Sequence, residues 1–405
     1  MKNNQKKYVN HKKICKMIDC SSRFHNKAIS KGVMAGVLLI EERKLFMKKI
    51  GIIGAGATGI ALAADMLLGG HKVILFEEPE CSSNLDDLRK AGCIHKAGCC
   101  KQQDVPLPEL TTEMGKALDD ADIVFVATVA NRHPKLCGLM APHLKDGQTV
   151  CFFNGNCGSI FLKPFLGGKD ILVGETMGAY SSIRYRGNAV VYYFMPVAEK
   201  AKGVAAYPAK DSRRFVESLK ECYDCVCYPD IPQKNVLEIA LNAPNVAIHL
   251  IASTVNIAAV ERSADFRLYR DGLSASVVKL IEAVEKERDA VFGKFGFSGR
   301  SNMEMMNACL NYVDSPKPEL LGFYLTTTGP DGVAHRYYTE DAYAGNCLLL
   351  SMADAVGMKM PLMSSAVTII SAVNGKDYRR EGITLEKLGF AGMDPTEINH
   401  RLFEG

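Results

Sequence analysis

Residues 48–78, KKIGIIGAGATGIALAADMLLGGHKVILFEE, constrain the fold more than any other stretch of the chain. The apolar residues Ile50, Ile52 and Ile53 lead into Gly54-Ala55-Gly56-Ala57-Thr58-Gly59, and a helix is predicted over residues 60–68. Gly69-Gly70 stop that helix, and a second strand over residues 73–76 ends at an acid, Glu77. Strand, glycine turn, helix, strand and acid in this order make a dinucleotide-binding βαβ unit. Gly54 permits the tight turn, Gly56 lets the backbone approach a pyrophosphate, and Gly59 lets the helix pack closely on the strand. Ala55, Ala57 and Thr58 complete the backbone that leads to the helix N-terminus, where N–H groups and the positive dipole end favour phosphate. A carboxylate at Glu77 accepts hydrogen bonds from ribose hydroxyls and repels a 2′-phosphate, so NAD is expected over NADP. The neighbouring Glu78 shares that role or is a solvated loop charge. No second flavin-type motif follows, which favours a nicotinamide cofactor over FAD.

Composition narrows the class. With 405 residues, 47% of them hydrophobic and 23% charged, the chain has material for two cores. Its 49 Lys and Arg outnumber 45 Asp and Glu, but 11 of the cations and only 3 of the acids fall in the first 46 residues. The remainder therefore carries 38 cations against 42 acids, and a nucleic-acid partner is not expected. In the basic tail, the apolar run over residues 33–40 is too short to span a bilayer, so no membrane partner is expected. Glu41-Glu42-Arg43 stand where a signal peptide would need small residues. Residues 1–46 read as a non-core tail or a mis-assigned start ahead of Met47, with an organelle-targeting peptide as the competing possibility. The 14 cysteines are scattered without a framework spacing, which fits a reducing, cytoplasmic setting. Cys222, Cys225 and Cys227 form CxxCxC without a matching second pair, so ordinary thiols are expected and no metal. Cys99-Cys100 reads the same way.

Residues 121–127, 148–154 and 170–174 read as buried parallel strands, with a crossover helix over 133–144, and together they give a doubly wound sheet. Asn131, Asn154 and Thr176 fall at or just after strand ends, where ligands and ordinary loops both occur. Alternation over 190–194 and 203–207 suggests a terminal hairpin, and Pro229 with Pro232 marks a break. Beyond it, helices are predicted over 236–260, 275–292, 343–356 and 362–373, the last opened by Pro361 and stopped by Asn374-Gly375. The expected fold is α/β: a Rossmann-type dinucleotide-binding domain over 47–229, followed by an all-helical domain over 230–405.

Within the first long predicted helix, Asn242, Asn245 and His249 lie at i, i+3 and i+7 and are expected on one face. A histidine among Val246, Ala247, Ile248, Leu250 and Ile251 reads first as a satisfied core residue. That balance shifts if a carboxylate such as Asp341 holds one ring nitrogen and leaves the other for proton transfer. Arg336 has the planar fork that suits a carboxylate, although a surface salt bridge would use it equally well.

The chain resembles the opine dehydrogenase family, of the octopine and nopaline dehydrogenase type, over residues 47–405. The motifs that carry the resemblance are GAGATG at 54–59, GET at 174–176, NVAIH at 245–249, HRYYTED at 335–341 and DYRREGITLEKLG at 377–389. The last is the most family-specific, and its local physics is only a short helix capped by Thr384 and ended by Gly389. The resemblance implies that His249 is the catalytic histidine, Asp341 its orienting aspartate and Arg336 the substrate-carboxylate arginine, with Asn245 one turn before the histidine and Thr176 also at the substrate. It implies NADH-dependent reductive condensation of an α-amino acid with a pyruvate-like α-keto acid, by a monomer or homodimer. Pro244 departs from the family pattern and would kink the helix or start one there. The alternatives are a hydroxyacid or ketopantoate-type reductase of the same plan, which would ordinarily use a lysine, and a nicotinamide-sensing protein without turnover.

Overall fold

In the computed structural model the described residues are 47–194, 203–222, 234–263, 265–302 and 327–405. The basic tail, Cys225, Cys227, Pro229 and Pro232 lie outside them. Among the described residues no single helix is long and apolar enough to cross a membrane.

The opening βαβ unit forms as its sequence dictates. Strand β1 (Lys49–Ile53) pairs in parallel with β2 (Lys72–Phe76), and α1 (Ala57–Leu68) crosses between them. β3 (Cys93–Gly98) and β4 (Gln103–Pro106) leave for a second sheet, β5 (Glu109–Thr111) returns beside β2, and β6 (Ile123–Val126) pairs with the other edge of β1. β7 (Thr149–Phe152) and β8 (Leu172–Thr176) extend the sheet, and β11 (Val204–Ala206) closes it antiparallel. The order is β11-β8-β7-β6-β1-β2-β5. Every residue of β6, β7 and β8 is buried, which is why these strands read as unbroken apolar runs: helices cover both faces. Strand order reverses between β1 and β6, and ligands of such sheets sit at the carboxyl ends beside that point.

The hairpin expected from residues 190–194 and 203–207 is not formed. β10 (Val190–Tyr193) belongs to the second sheet, ordered β4-β3-β10-β9, where it pairs with β9 (Ile183–Tyr185) and β3, whereas β11 lies in the main sheet. Alternation identifies a half-buried strand but not its neighbour. The small sheet packs on α1 through a buried polar cluster: the Asp65 carboxylate receives the Lys96 ammonium and the hydroxyls of Tyr180 and Tyr193, both at 2.8 Å.

From residue 234 onward the described residues contain helices and turns, with no strand. The long helix predicted over 236–260 is broken. Helix α2 (Val236–Asn242) stops, Ala243 turns extended at φ −62°, ψ 133°, a 3₁₀ turn Pro244–Val246 follows, and α3 (His249–Val255) departs at a 55° bend. Proline disfavours helical geometry in the residue before it and has no N–H to give, so the break falls where Pro244 demands. Asn242 and His249 consequently do not share a face: the Asn242 side chain is fully buried against Ser298 and Arg300. Helix α4 (Ala275–Phe295) follows. The helix predicted to begin at residue 343 starts earlier, as α5 (Arg336–Asp341), and passes through a π turn (Ala342–Asn346) into α6 (Cys347–Ala355). Residues 384–389 make one helical turn, in which the Thr384 hydroxyl accepts from Lys387 N and Gly389 has φ +82°.

Candidate active site

The switch point and the break at Pro244 open onto one cavity of about 490 Å³. Gly56, Ala57 and Thr58 line one end of it, and His249, Tyr269, Arg336 and Tyr337 the other. At the glycine turn, Gly54 has φ +107° and stands against the Ala127 carbonyl after β6. A Cβ at Gly59 would overlap the Gly54 carbonyl oxygen, whereas one at Gly56 would meet nothing within 4 Å. Two glycines thus serve close packing and the third leaves open space before α1, whose N-cap Gly56 offers no side chain to its first N–H groups. Such a cradle suits a pyrophosphate.

Glu77 follows β2 as expected. Its Oε2 accepts from Ala55 N at 2.8 Å and its Oε1 from Glu78 N at 3.0 Å, and burial raises its pKa. Glu78 is not a solvated loop charge: its buried carboxylate is paired with Arg132 and, at 2.7 Å, with Lys135. That leaves Glu77 as the acid beside the glycine turn.

At the other end His249 opens α3, brought there by the break at Pro244. Its Nδ1 lies 2.9 Å from Asp341 Oδ2 and its Nε2 3.4 Å from the Tyr269 hydroxyl. While Asp341 is ionised its oxygens only accept, so Nδ1 then carries the hydrogen and Nε2 the lone pair. The ring stacks on Tyr337 at 3.7 Å between centroids and 21° between planes. Tyr337 and Asp341 are i and i+4 on α5, so one helical face supplies both the floor and the partner of the imidazole. Burial drives the Asp341 carboxyl up to about 7, against the charge of Arg336 and a hydrogen bond from Asn245, which also lines the cavity.

Arg336 donates from Nη1 to Glu340 Oε2 at 3.2 Å, while Glu340 Oε1 accepts from Ala130 N at 3.0 Å. The salt bridge envisaged for Arg336 exists, but its partner Glu340 is buried and faces the cavity with it. His335 caps α5 by accepting from Tyr337 N at 3.2 Å, and burial lowers its pKa to about 4, so it is neutral. Thr176 does not line the cavity: its hydroxyl donates to the Gly178 carbonyl at 2.6 Å, shaping the loop that does. Asn154 lines it with φ +50°, and Asn131 is exposed outside it. Away from the cavity, Cys93 and His95 on β3 and Asp104 on the neighbouring β4 form a group, with His95 Nδ1 2.7 Å from Asp104. Tyr269, Tyr337, Arg184 and Glu340 line the site without a role having been read for them in the sequence. Glu340 is signalled by its i, i+4 spacing from Arg336, whereas nothing local marks Tyr269.

His249 and Asp341 share a hydrogen bond and titrate as a pair, and that pair would set the pH dependence of any proton transfer at this site. As pH falls through about 7 the Asp341 carboxyl takes up a proton, and a base at His249 would lose the carboxylate that supports it. The rate of any step needing that base should therefore fall on the acid side of an apparent midpoint near neutrality, and Asp341→Asn should displace the midpoint. A pH profile of kcat/KM for both proteins checks this, and an unmoved midpoint would contradict it.

Residues 232–374 match the family model described as NAD/NADP octopine/nopaline dehydrogenase, alpha-helical domain. Residues 50–184 match that of ketopantoate reductase PanE/ApbA. The chain is 26% identical over 360 residues to an opine dehydrogenase from Arthrobacter sp. (strain 1C), covering 87% of this chain and 98% of that one. Its fold is similar to octopine dehydrogenase solved with NADH and L-arginine, with a TM-score of 0.63 and 15% identity over 81% of this chain and 90% of that one. It is also similar to NADP⁺-bound yersinopine dehydrogenase, with a TM-score of 0.59 and 15% identity over 88% and 98%.

Proposed function

Because the chain belongs to the opine dehydrogenase family, we propose that it joins an α-amino acid to a pyruvate-like α-keto acid and reduces the product to a secondary amine bearing two carboxylates. The observation that carries this reading is His249, held by Asp341 and facing Tyr269, in the same cavity as the glycine turn. An ammonium group has no lone pair with which to attack a carbonyl, so a base must first remove its proton. Nε2 of His249 takes that proton, with Asp341 stabilising the imidazolium that results. The freed amine adds to the keto carbon, one of its protons passes to the carbonyl oxygen, and the proton on His249 then goes to the resulting hydroxyl, which leaves as water and gives the protonated imine. The Gly54–Gly59 turn and Glu77 would hold a nicotinamide dinucleotide, which would supply the hydride for reducing the protonated imine to the secondary amine. Arg336 holds a carboxylate, Glu340 sets the direction of its fork, and Asn245 steadies Asp341. We assign the dinucleotide part to residues 47–229 and the substrate part to 230–405.

A simple keto-acid reductase is the second reading, favoured by the ketopantoate reductase match over residues 50–184. Against it, the proton-transfer position carries His249, and among the described residues no lysine lines the cavity. For the cofactor we propose NADH over NADPH, on the strength of Glu77: a 2′-phosphate there would meet a carboxylate and forfeit the ribose hydrogen bonds. Following absorbance of the reduced cofactor with pyruvate and a panel of amino acids separates these readings. Oxidation should require both substrates and run at least about tenfold faster with NADH, roughly one charge-assisted hydrogen bond. Oxidation with pyruvate alone at the same rate would make the protein a keto-acid reductase, and equal kcat/KM with NADPH would remove the role given to Glu77.

A further inference from the structure

We propose that Arg184 forms a second carboxylate subsite in the cavity, taking the amino-acid partner's carboxylate while Arg336 takes that of the keto acid. The inference rests on the condensation proposed above and specifies how its two substrates are told apart. Arg184 lies on β9 in the cavity wall, half-buried, with Nη1 donating to the Ile183 carbonyl at 3.0 Å and Nη2 to the Tyr337 hydroxyl at 3.3 Å. Two of its five N–H groups are thereby engaged. Among the described residues no carboxylate pairs with it, in contrast to Arg336, which has Glu340. A half-buried guanidinium without a counter-charge is poorly solvated, and an anionic ligand relieves that cost.

Position gives the charge its use. Tyr337 stacks on His249, its hydroxyl receives Arg184, and Arg336 Cζ stands 5.4 Å from the same ring. Two guanidinium forks therefore bracket the ring that carries the proton-transfer group. The condensation product has one carboxylate on each side of its nitrogen, so each fork can hold one while the nitrogen faces His249. The partition follows from what holds Arg336. Glu340 ties it to Ala130, in the loop after β6 beside the glycine turn, where the carbon that accepts hydride must lie. Arg184 is left for the amino acid.

The test compares wild type, Arg184→Gln and Arg184→Lys. Arg184→Gln should raise KM for the amino acid by about 10- to 100-fold, the worth of a charge-assisted bidentate contact, with KM for pyruvate changed less than about threefold. Its preference for L-alanine over ethylamine, which lacks the carboxylate, should collapse towards unity, and Arg184→Lys should restore part of it. Fluorescence titration with NADH should be unchanged, which confirms the fold. Calorimetric binding of iminodiacetate, a secondary amine with two carboxylates, should weaken in Arg184→Gln by the same factor, and this reading needs no turnover. Loss confined to pyruvate, or intact discrimination against ethylamine with intact iminodiacetate binding, would overturn the proposal. Arg184-dependent iminodiacetate binding in a wild type that condenses no amino acid would instead place the failure in the proposed reaction.

Discussion

His249→Ala should abolish condensation while leaving NADH affinity within about twofold of wild type. The imidazole is 4% exposed at the end of the cavity opposite the glycine turn, so its removal touches no group proposed to contact the dinucleotide. General acid–base assistance is typically worth ~10²- to 10⁴-fold, and here one nitrogen must both free the amine and protonate the departing hydroxyl. The loss should therefore sit near the upper end and appear in kcat more than in KM. Asp341→Asn should cost less, about 10- to 100-fold, because the ring remains stacked on Tyr337 although its tautomer and charged form lose their partner. Steady-state kinetics beside a fluorescence titration with NADH measure both effects. Near-normal turnover in His249→Ala would return the histidine to the status of a core residue.

The second large effect is expected from the smallest substitution. Gly59→Ala places a methyl group where the Gly54 carbonyl oxygen already stands, with Ile52 packed behind, so the first turn of α1 must withdraw from the end of β1. Backbone cannot yield as a side-chain tip does, and overpacking of this kind costs about 1–3 kcal/mol. The displaced turn is also the one whose N–H groups are aimed at the pyrophosphate, and such contacts depend on distances near 3 Å. NADH affinity should fall by at least about tenfold, with a lower melting temperature by circular dichroism. Gly56→Ala is the control for stability, since a Cβ there meets nothing within 4 Å in the protein. Wild-type affinity and melting in Gly59→Ala would mean the helix has more room than the structure gives it.

The dinucleotide half was legible because two local signals coincide there: apolar runs long enough to be buried strands, and a glycine turn in which Gly54 and Gly59 leave no room for a side chain. The residues offered the pairing of His249 with Asp341 as one possibility and the family resemblance singled it out, since 92 residues separate them and no local rule joins them. Pro244 was visible as a site of disruption by its chemistry, yet its consequence needed three dimensions. The break parts Asn242 from the site and makes His249 the first residue of a new helix. Residues 336–341 were read as a carrier of side chains and not as a helix. Once they are one, the pairings Arg336–Glu340 and Tyr337–Asp341 follow from spacing alone. Tyr269 reaches His249 from a π turn, Leu268–Gly272, whose residues carry no periodic pattern. The partner of β10 was closed to local reading for the same reason: pairing is decided by tertiary contacts such as the hydroxyl of Tyr193 on Asp65.

That Asp65 cluster has a mechanical consequence. Removing one member of a buried charged pair typically costs about 3–5 kcal/mol, so the small sheet is riveted to α1 and cannot slide over it freely. The glycine cradle at the head of α1 and Arg184 on β9 therefore ride on one stiff plate, while His249 and Arg336 stand on the helices opposite. Among the bonds of the described residues that bridge the seam at the cavity are Arg184 to Tyr337 and Glu340 to Ala130. Each involves a fork proposed to hold a carboxylate or the acid that aims one. Opening along this seam would part the hydride donor from the base as a unit, and a ligand with two carboxylates, one on each side, would act as the clasp.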